Sequence, residues 1–95
     1  MKKAIVMDQK DNVATLLTEV NKDDVVQVRV REKIMEIKIQ EKIKFGHKFA
    51  MERIIKNQDV IKYGEVIGQA TENISEGHHV HIHNVESLRG RGDIA

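Results

Sequence analysis

The sequence predicts a mainly β fold built from short, sharply turned strands, with one short helix near the N-terminus. Two segments, Val25–Val30 and residues 34–39, alternate between apolar and polar side chains, as a strand with one buried face requires. A turn theme of the form I-x-x-G-x recurs at Ile43, Ile61 and Ile74. Its glycine suits the positive φ of a tight turn, so we expect a compact, barrel-like sheet.

The N-terminal third is predicted to contain a strand followed by a helix. Residues 4–7 form a short apolar run, which favours a strand. Helical spacing follows over residues 13–20, and Asp11-Asn12 ahead of them offers an N-cap. The residues that would share the buried side of this helix are Val13, Leu16, Leu17 and Val20.

The rest of the chain is predicted to consist of paired strands and turns. Residues 31–33 are expected to connect the two alternating segments as a hairpin. A copy of the turn theme without its glycine begins at Ile55, and residues 50–56 are expected to form one helical turn. Residues 89–95 contain two glycines and no apolar pattern, so we expect them to form a flexible tail.

Length and composition indicate a single soluble domain over residues 1–95. The 16 basic and 15 acidic residues nearly cancel, which argues against nucleic acid as the main partner. No apolar run approaches the roughly 20 residues that cross a membrane, and no secretion signal is recognised, so we expect a cytoplasmic protein. The chain has no cysteine, which excludes disulfides, thiolate ligands and a thiol nucleophile.

Three histidines alternate near the C-terminal end, at His79, His81 and His83. An extended backbone would place these imidazoles on one face, with Val80 and Ile82 on the other. Such a face can bind a metal ion or transfer protons near neutral pH. The alternative is a polar, solvated strand face that happens to consist of histidine.

Other candidate residues lie at turns. In Gly46-His47-Lys48 a histidine and a lysine follow a glycine, and such a pair can bind a carboxylate, with the imidazole as acid or base. The simpler interpretation is a surface turn. Lys62 belongs to the turn theme at Ile61, where a structural turn is again the simpler interpretation.

Several motifs together resemble the N-terminal domain of the altronate/galactarate dehydratase family. In chain order they are Asp11-Asn12-Val13-Ala14, Gly46-His47-Lys48-Phe49-Ala50, VIKYGEVIG over residues 60–68 and GHHVHIHN over residues 77–84. The resemblance extends from about residue 5 to residue 93, and the order of four motifs makes it specific. It implies the SAF, or β-clip, fold, which agrees with the short strands and repeated turns.

The resemblance also implies a function. Members of the family are metal-dependent lyases, typically with Fe²⁺ or Mn²⁺, that remove water from sugar acids, and a related branch eliminates sulfite from sulfolactate. The histidine triplet resembles the altronate and sulfolactate branches rather than the galactarate branch, and Asp11-Asn12 favours altronate. We therefore expect a small hydro-lyase subunit that completes the active site of a separate large catalytic subunit, which would hold most of the metal shell. The alternatives are a sulfolactate sulfo-lyase small subunit and a non-catalytic substrate- or metal-binding module.

Roles for individual residues follow from the same resemblance. His47 and Lys48 are the expected catalytic residues, facing the substrate carboxylate. The expected metal ligands are His79, His81 and His83, and the expected substrate-binding residues are Asn12, Lys62 and Asn84. His78 stands where the family has Glu, and because it alternates away from the triplet we expect little effect there.

Overall fold

The structure is a computed structural model that describes residues 2–88, so the predicted tail over residues 89–95 lies outside the described residues. Nine strands and no helix are found between residues 2 and 88. The strands are β1 (Lys2–Ile5), β2 (Val13–Leu16), β3 (Val25–Val30), β4 (Lys33–Lys38), β5 (Lys48–Ala50), β6 (Asp59–Lys62), β7 (Glu65–Ala70), β8 (His79–Val80) and β9 (Val85–Ser87). The mainly β fold class is confirmed. In this part of the chain no helix is long and apolar enough to cross a membrane.

The strands form two sheets. Six strands pair in the order β4-β3-β1-β2-β5-β8, and β6, β7 and β9 form a second, antiparallel sheet in that order. In the first sheet β1 and β3 pair in parallel and the other neighbours are antiparallel. The predicted hairpin is confirmed: Val30 pairs with Lys33, and Arg31 between them has a φ of 56°.

The predicted N-terminal helix is wrong, because residues 13–16 are strand β2, paired with β1 on one side and β5 on the other. Val13, Ala14 and Leu16 are all buried, so the strand shows no alternation between apolar and polar faces. A short, continuously apolar segment cannot be assigned to helix or strand by periodicity alone. The helical turn predicted over residues 50–56 is also wrong, since Ala50 ends β5 and Ile54 forms a bridge with Ile74.

Strand β2 is buried on both faces because it lies between two cores, as does β5. The larger core surrounds β1 to β5 and includes Leu16 and Phe49. The smaller core lies beneath β6 to β8 and includes Val13 and Ala50. Successive residues of β2 and β5 therefore contribute to opposite cores, as the alternation of side chains along a strand requires.

One turn geometry recurs four times. Each copy starts just after a buried residue, closes with a hydrogen bond between residues three apart, and places its third residue at a φ between 74° and 84°, the signature of a type II turn. The buried residues are Val20, Ile43, Ile54 and Ile74, and they join in two bridges, Val20 with Ile43 and Ile54 with Ile74. The residues of positive φ are Asp23, Gly46, Asn57 and Gly77.

The sequence theme captured this repeat only in part. The copy without glycine starts at Ile54, which is buried, and not at Ile55, which is 52% exposed. The glycine motif at Ile61 belongs to a different turn, a two-residue hairpin in which Tyr63 and Gly64 both have positive φ, as a type I′ turn requires.

Candidate metal and substrate site

The pairing of β5 with β8 brings the candidate residues together. Lys48 lies opposite Val80 and Phe49 opposite His79, so the same register places His47 opposite His81, one residue beyond the paired ends. The type II turn at Gly46 directs the chain into β5, with the amide of His47 bonded to the carbonyl of Lys44 at 3.1 Å. Two motifs that are 32 residues apart in sequence thus meet at one edge of the larger sheet.

The expected extended run through the three alternating histidines is wrong, because β8 ends at Val80. The chain then turns, and the amide of Asn84 donates to the carbonyl of His81 at 3.1 Å. Val80 is fully buried, whereas Ile82 lies in the turn and is 85% exposed. The two side chains therefore do not lie on one buried face, contrary to what the sequence had predicted. The turn still keeps the imidazoles close, since the ring centroids of His79 and His83 are 5.3 Å apart.

Three half-buried imidazoles form the centre of the cluster. The ring centroid of His47 lies 4.6 Å from that of His81 and 5.1 Å from that of His79, and the latter two rings are 5.2 Å apart. Nδ1 of His47 and Nε2 of His79 form a hydrogen bond of 2.9 Å, in which one nitrogen carries the proton. One ring nitrogen from each of these three residues lies within 4.8 Å of the others, close enough to share a metal ion.

Asn84 fixes the spacing of two of these histidines. Its Nδ2 donates to the carbonyl of His79 at 2.8 Å, and its Oδ1 accepts from the amide of His81 at 2.9 Å. Asn84 is 5% exposed, so water reaches these bonds only in part. Both ends of the amide are therefore used within the fold, and the predicted contact with substrate stays a prediction.

Glu41, which the sequence interpretation missed, supports the cluster through hydrogen bonds to His78 and His79. Its Oε2 accepts hydrogen bonds from Nδ1 of His78 at 3.0 Å and from the amide of His79 at 3.2 Å. Burial works against ionisation, but these hydrogen bonds hold the pKa of Glu41 below its ordinary value. No local pattern marks a residue 37 positions away in sequence as a partner of His78.

The surroundings of His79 and His81 favour the uncharged form of their imidazoles. Burial, and then the neighbouring rings of His47 and His81, lower the pKa of His79 to about 4. The pKa of His81 is also lowered, by burial and by the same ring of His47, with a further contribution from Lys48. Both rings are thus neutral at pH 7, the form in which imidazole binds metals.

Lys48 in β5 brings a positive charge next to the histidines, and Lys62 in β6 acts on it. Burial, and then the charge of Lys62, lower the pKa of Lys48. Lys48 borders a cavity of about 180 Å³, together with His81 and apolar side chains that include Ile67 and Val85. Nζ of Lys62 lies 4.9 Å from the ring centroid of Tyr63. The structure therefore places Lys48 beside His81, and Lys62 close enough to Lys48 for their charges to interact.

Asn12, in contrast, joins the two sheets. Its Nδ2 donates to the carbonyl of Asp59, and its Oδ1 accepts from the amide of Ile61, both at 2.8 Å. Asp11 acts similarly, since its carboxylate accepts from the amides of Met7, Asp8 and Gly64. The helix cap predicted at Asp11 and Asn12 is therefore wrong, because Asn12 connects the loop before β2 to β6 and Asp11 connects it to the turn at Gly64. The substrate-binding role of Asn12 stays a prediction.

Comparisons with known proteins agree on one family. Residues 2–88 match the family model described as the altronate/galactarate dehydratase SAF domain. The altronate dehydratase of Bacillus subtilis (strain 168) is 36% identical over 87 residues, which cover 92% of this chain and 17% of that protein. The altronate dehydratase of Escherichia coli (strain K12) is 38% identical over 81% of this chain and 15% of its own length.

A second kind of relative is shorter. The protein named (2R)-sulfolactate sulfo-lyase subunit alpha, from Chromohalobacter salexigens, is 34% identical over 59 residues, which cover 62% of this chain and 63% of that subunit. The chain thus spans less than a fifth of the dehydratases and somewhat under two thirds of this subunit.

Proposed function

Since its residues 2–88 match the family model, the chain belongs to the altronate/galactarate dehydratase SAF domain family, and from that premise we propose that it forms part of the active site of a metal-dependent sugar-acid dehydratase. The reaction would be that of an altronate dehydratase-like hydro-lyase. The observation that carries the proposal is the meeting of His47 and Lys48 with His79 and His81 at one sheet edge. A small subunit of a sulfolactate sulfo-lyase is the second candidate, favoured by the similarity to subunit alpha.

The chemistry of dehydration calls for the kinds of group found at this edge. A 2,3-dihydroxy acid loses the proton next to its carboxylate and then its β-hydroxyl, so charge must be stabilised on the carboxylate side. A divalent metal, Fe²⁺ or Mn²⁺ in this proposal, supplies such stabilisation and polarises the leaving hydroxyl. We assign the carboxylate to Lys48 and Lys62, and proton transfer and metal binding to the imidazoles.

The lysine assignment rests on charge and burial. The positive charge of Lys62 acts on the half-buried ammonium of Lys48, and that repulsion is relieved when an anion binds between them. The apolar walls of the adjoining cavity reduce competition from water, which strengthens a charge-assisted hydrogen bond to a carboxylate.

A second protein component completes the proposal. The cluster lies at an open sheet edge, and the matched region accounts for only 15–17% of the two dehydratases, so most of their residues lie outside it. The name "subunit alpha" says that the sulfo-lyase relatives belong to assemblies. We therefore propose that a large catalytic component of the family packs against the sheet edge that carries His47, His79 and His81. That component would supply the other catalytic groups that the reaction requires.

Reconstitution tests this function. The chain is mixed with a candidate large catalytic protein of the family, with Fe²⁺ or Mn²⁺, and elimination is measured on altronate, galactarate and sulfolactate. Turnover of altronate that requires both proteins supports the proposal, and turnover of sulfolactate alone supports the second candidate. No turnover from a folded pair would leave a substrate- or metal-binding module as the function.

A matched lysine pair tests the role of Lys48. Lys48→Gln is expected to raise KM or lower kcat for the reconstituted enzyme, whereas Lys44→Gln, an exposed lysine four residues earlier, is expected to change neither. A change confined to KM indicates substrate binding, and a fall in kcat indicates a role in the transition state. Equal activity of both variants would remove Lys48 from the site.

A further inference from the structure

We infer that His47, His79 and His81 form a metal site complete within this chain, selective for a borderline divalent ion such as Zn²⁺, Co²⁺ or Fe²⁺. This deepens the proposed function at the same site and rests on it for the role of the ion, but ion binding by the chain is measurable without the lyase reaction. The ligand set differs from the one predicted from the sequence, because His47 takes the place expected for His83.

Distances support this set. The three residues offer ring nitrogens that lie within 4.8 Å of one another, and the pair from His47 and His79 is already 2.9 Å apart. Ligands about 2.0–2.1 Å from a tetrahedral ion are separated by about 3.3 Å. For His47 and His79 an ion that replaces the shared proton changes the distance between the two ring nitrogens by about 0.4 Å, and the nitrogen of His81 closes a gap of at most about 1.5 Å. Those movements are rotations about χ2, which is a soft torsion for histidine.

His83 is placed less well. The side chain of His83 is exposed. Its ring centroid lies 5.3 Å from that of His79, and the two ring planes are tilted by 43°. His83 lies within the turn at residues 81–84, where the backbone has already left the strand. His83 therefore stays free beside a metal held by the other three residues.

The backbone that carries two of the ligands is fixed before an ion arrives. Asn84 bonds to the carbonyl of His79 and the amide of His81, and Glu41 accepts from the amide of His79. Such supporting hydrogen bonds reduce the conformational freedom that ligands lose on binding. Asn84 and Glu41 are accordingly positioning residues, while the three imidazoles contact the ion.

The chemistry of the donors decides which ions fit. A set of imidazoles without a carboxylate suits Zn²⁺, Co²⁺, Ni²⁺, Cu²⁺ or Fe²⁺, whereas Mg²⁺ and Ca²⁺ prefer oxygen ligands. The nearby charge of Lys48 disfavours a bare cation, so an anion bound beside the ion will raise its affinity. A carboxylate held by Lys48 meets this condition, which links the metal site to the proposed substrate.

The experiment is a titration of the chain alone. Co²⁺ is followed by its visible absorption and Zn²⁺ by calorimetry, with Mg²⁺ as the ion expected not to bind. One ion per chain is expected, and His47→Ala, His79→Ala and His81→Ala should each weaken binding at least about tenfold. His83→Ala should leave the affinity unchanged. Thermal unfolding of each variant, followed by circular dichroism, shows whether it is folded.

Two results would overturn the inference. Full binding by a folded His47→Ala variant, with loss in His83→Ala, would establish the ligand set predicted from sequence. Absence of Co²⁺ and Zn²⁺ binding by the folded wild-type chain would remove the site. The proposed function fails separately: a chain that binds the ion but gives no turnover with its partner keeps the metal site and loses the lyase role.

Discussion

Removal of the Asn84 side chain is the sharpest test of how the histidine cluster is held. Asn84→Ala deletes two hydrogen bonds, of 2.8 and 2.9 Å, and leaves the carbonyl of His79 and the amide of His81 without these partners. The substituted position is 5% exposed, while the two histidines are half-buried, so water reaches the freed groups only in part.

The expected cost follows from these contacts. Each intramolecular hydrogen bond contributes about 0.5–1.5 kcal/mol net, and a buried group left unpaired costs about 1–3 kcal/mol. With partial access for water we expect Asn84→Ala to lower the free energy of unfolding by about 2–4 kcal/mol. For a chain of this size that corresponds to a fall in Tm of about 10–20 °C.

Urea denaturation of the metal-free chain measures this cost. The control is Asn73→Ala, because Oδ1 of Asn73 accepts one exposed hydrogen bond, from the amide of Lys56 at 2.8 Å. About 1 kcal/mol or less is expected for the control. The same Asn84→Ala protein, assayed below its unfolding transition, should also bind Co²⁺ more weakly, since the spacing of His79 and His81 is no longer fixed.

Equal stability of Asn84→Ala and Asn73→Ala would refute the reasoning. It would mean that the two hydrogen bonds are replaced by water at no cost, and that the turn after β8 holds its shape without them. Loss of stability with unchanged Co²⁺ affinity would keep the structural role and reject the positioning role.

Two further predictions concern a turn and a titration. Gly77→Ala should destabilise the chain by about 2–5 kcal/mol and Gly46→Ala by about 1–2 kcal/mol in urea denaturation. Both glycines have a φ near +80°, so both substitutions introduce backbone strain. A Cβ at Gly77 would also lie 2.1 Å from the carbonyl oxygen of Lys38, whereas one at Gly46 meets nothing within 4 Å. Equal losses of stability in the two variants would contradict this account. In the metal-free chain the ring of His79 should titrate near pH 4 by NMR. This pKa lies below the unfolded value of about 6.5, so the unfolded chain binds more protons than the folded chain between about pH 6.5 and 4. The free energy of unfolding therefore falls as the pH drops from about 6.5 to 4. Titration of His79 near pH 6.5 would show that the ring is not desolvated by its neighbours.

The strands that could be predicted from the sequence are those with one face buried and the other exposed. The β3–β4 hairpin was predicted because its valines and isoleucines alternate with polar residues, and only one side of that hairpin meets the core. Strand β2 was mistaken for a helix because both of its faces are buried, and burial between two cores depends on contacts distant in sequence. The turn at residues 21–24 was expected from its polar residues but not recognised as a copy of the repeated turn, because Asp23, not glycine, has its positive φ.

The site was predictable where chemistry and sequence spacing coincide. His79 and His81 were singled out by their alternation, and His47 by its glycine turn, but the contact between them depends on the register of β5 with β8. Glu41 lies 37 and 38 residues from its two partners and had no local signal. Asn84 was noticed as part of a motif, yet its hydrogen bonds to the backbone become visible only in the folded chain.

The fourfold turn has a consequence for how such a site can arise. His47 follows the positive-φ residue of one turn, and the equivalent positions of the other copies carry Asp24, Gln58 and His78. The fold therefore repeats one turn conformation at four positions, and the chemistry at each depends on the residue that follows the positive φ and on the strand that pairs beside it. A second imidazole centre could be introduced at position 24 or 58, at the loss of the hydrogen bonds that Asp24 and Gln58 now accept from the amides of Asn21 and Ile55.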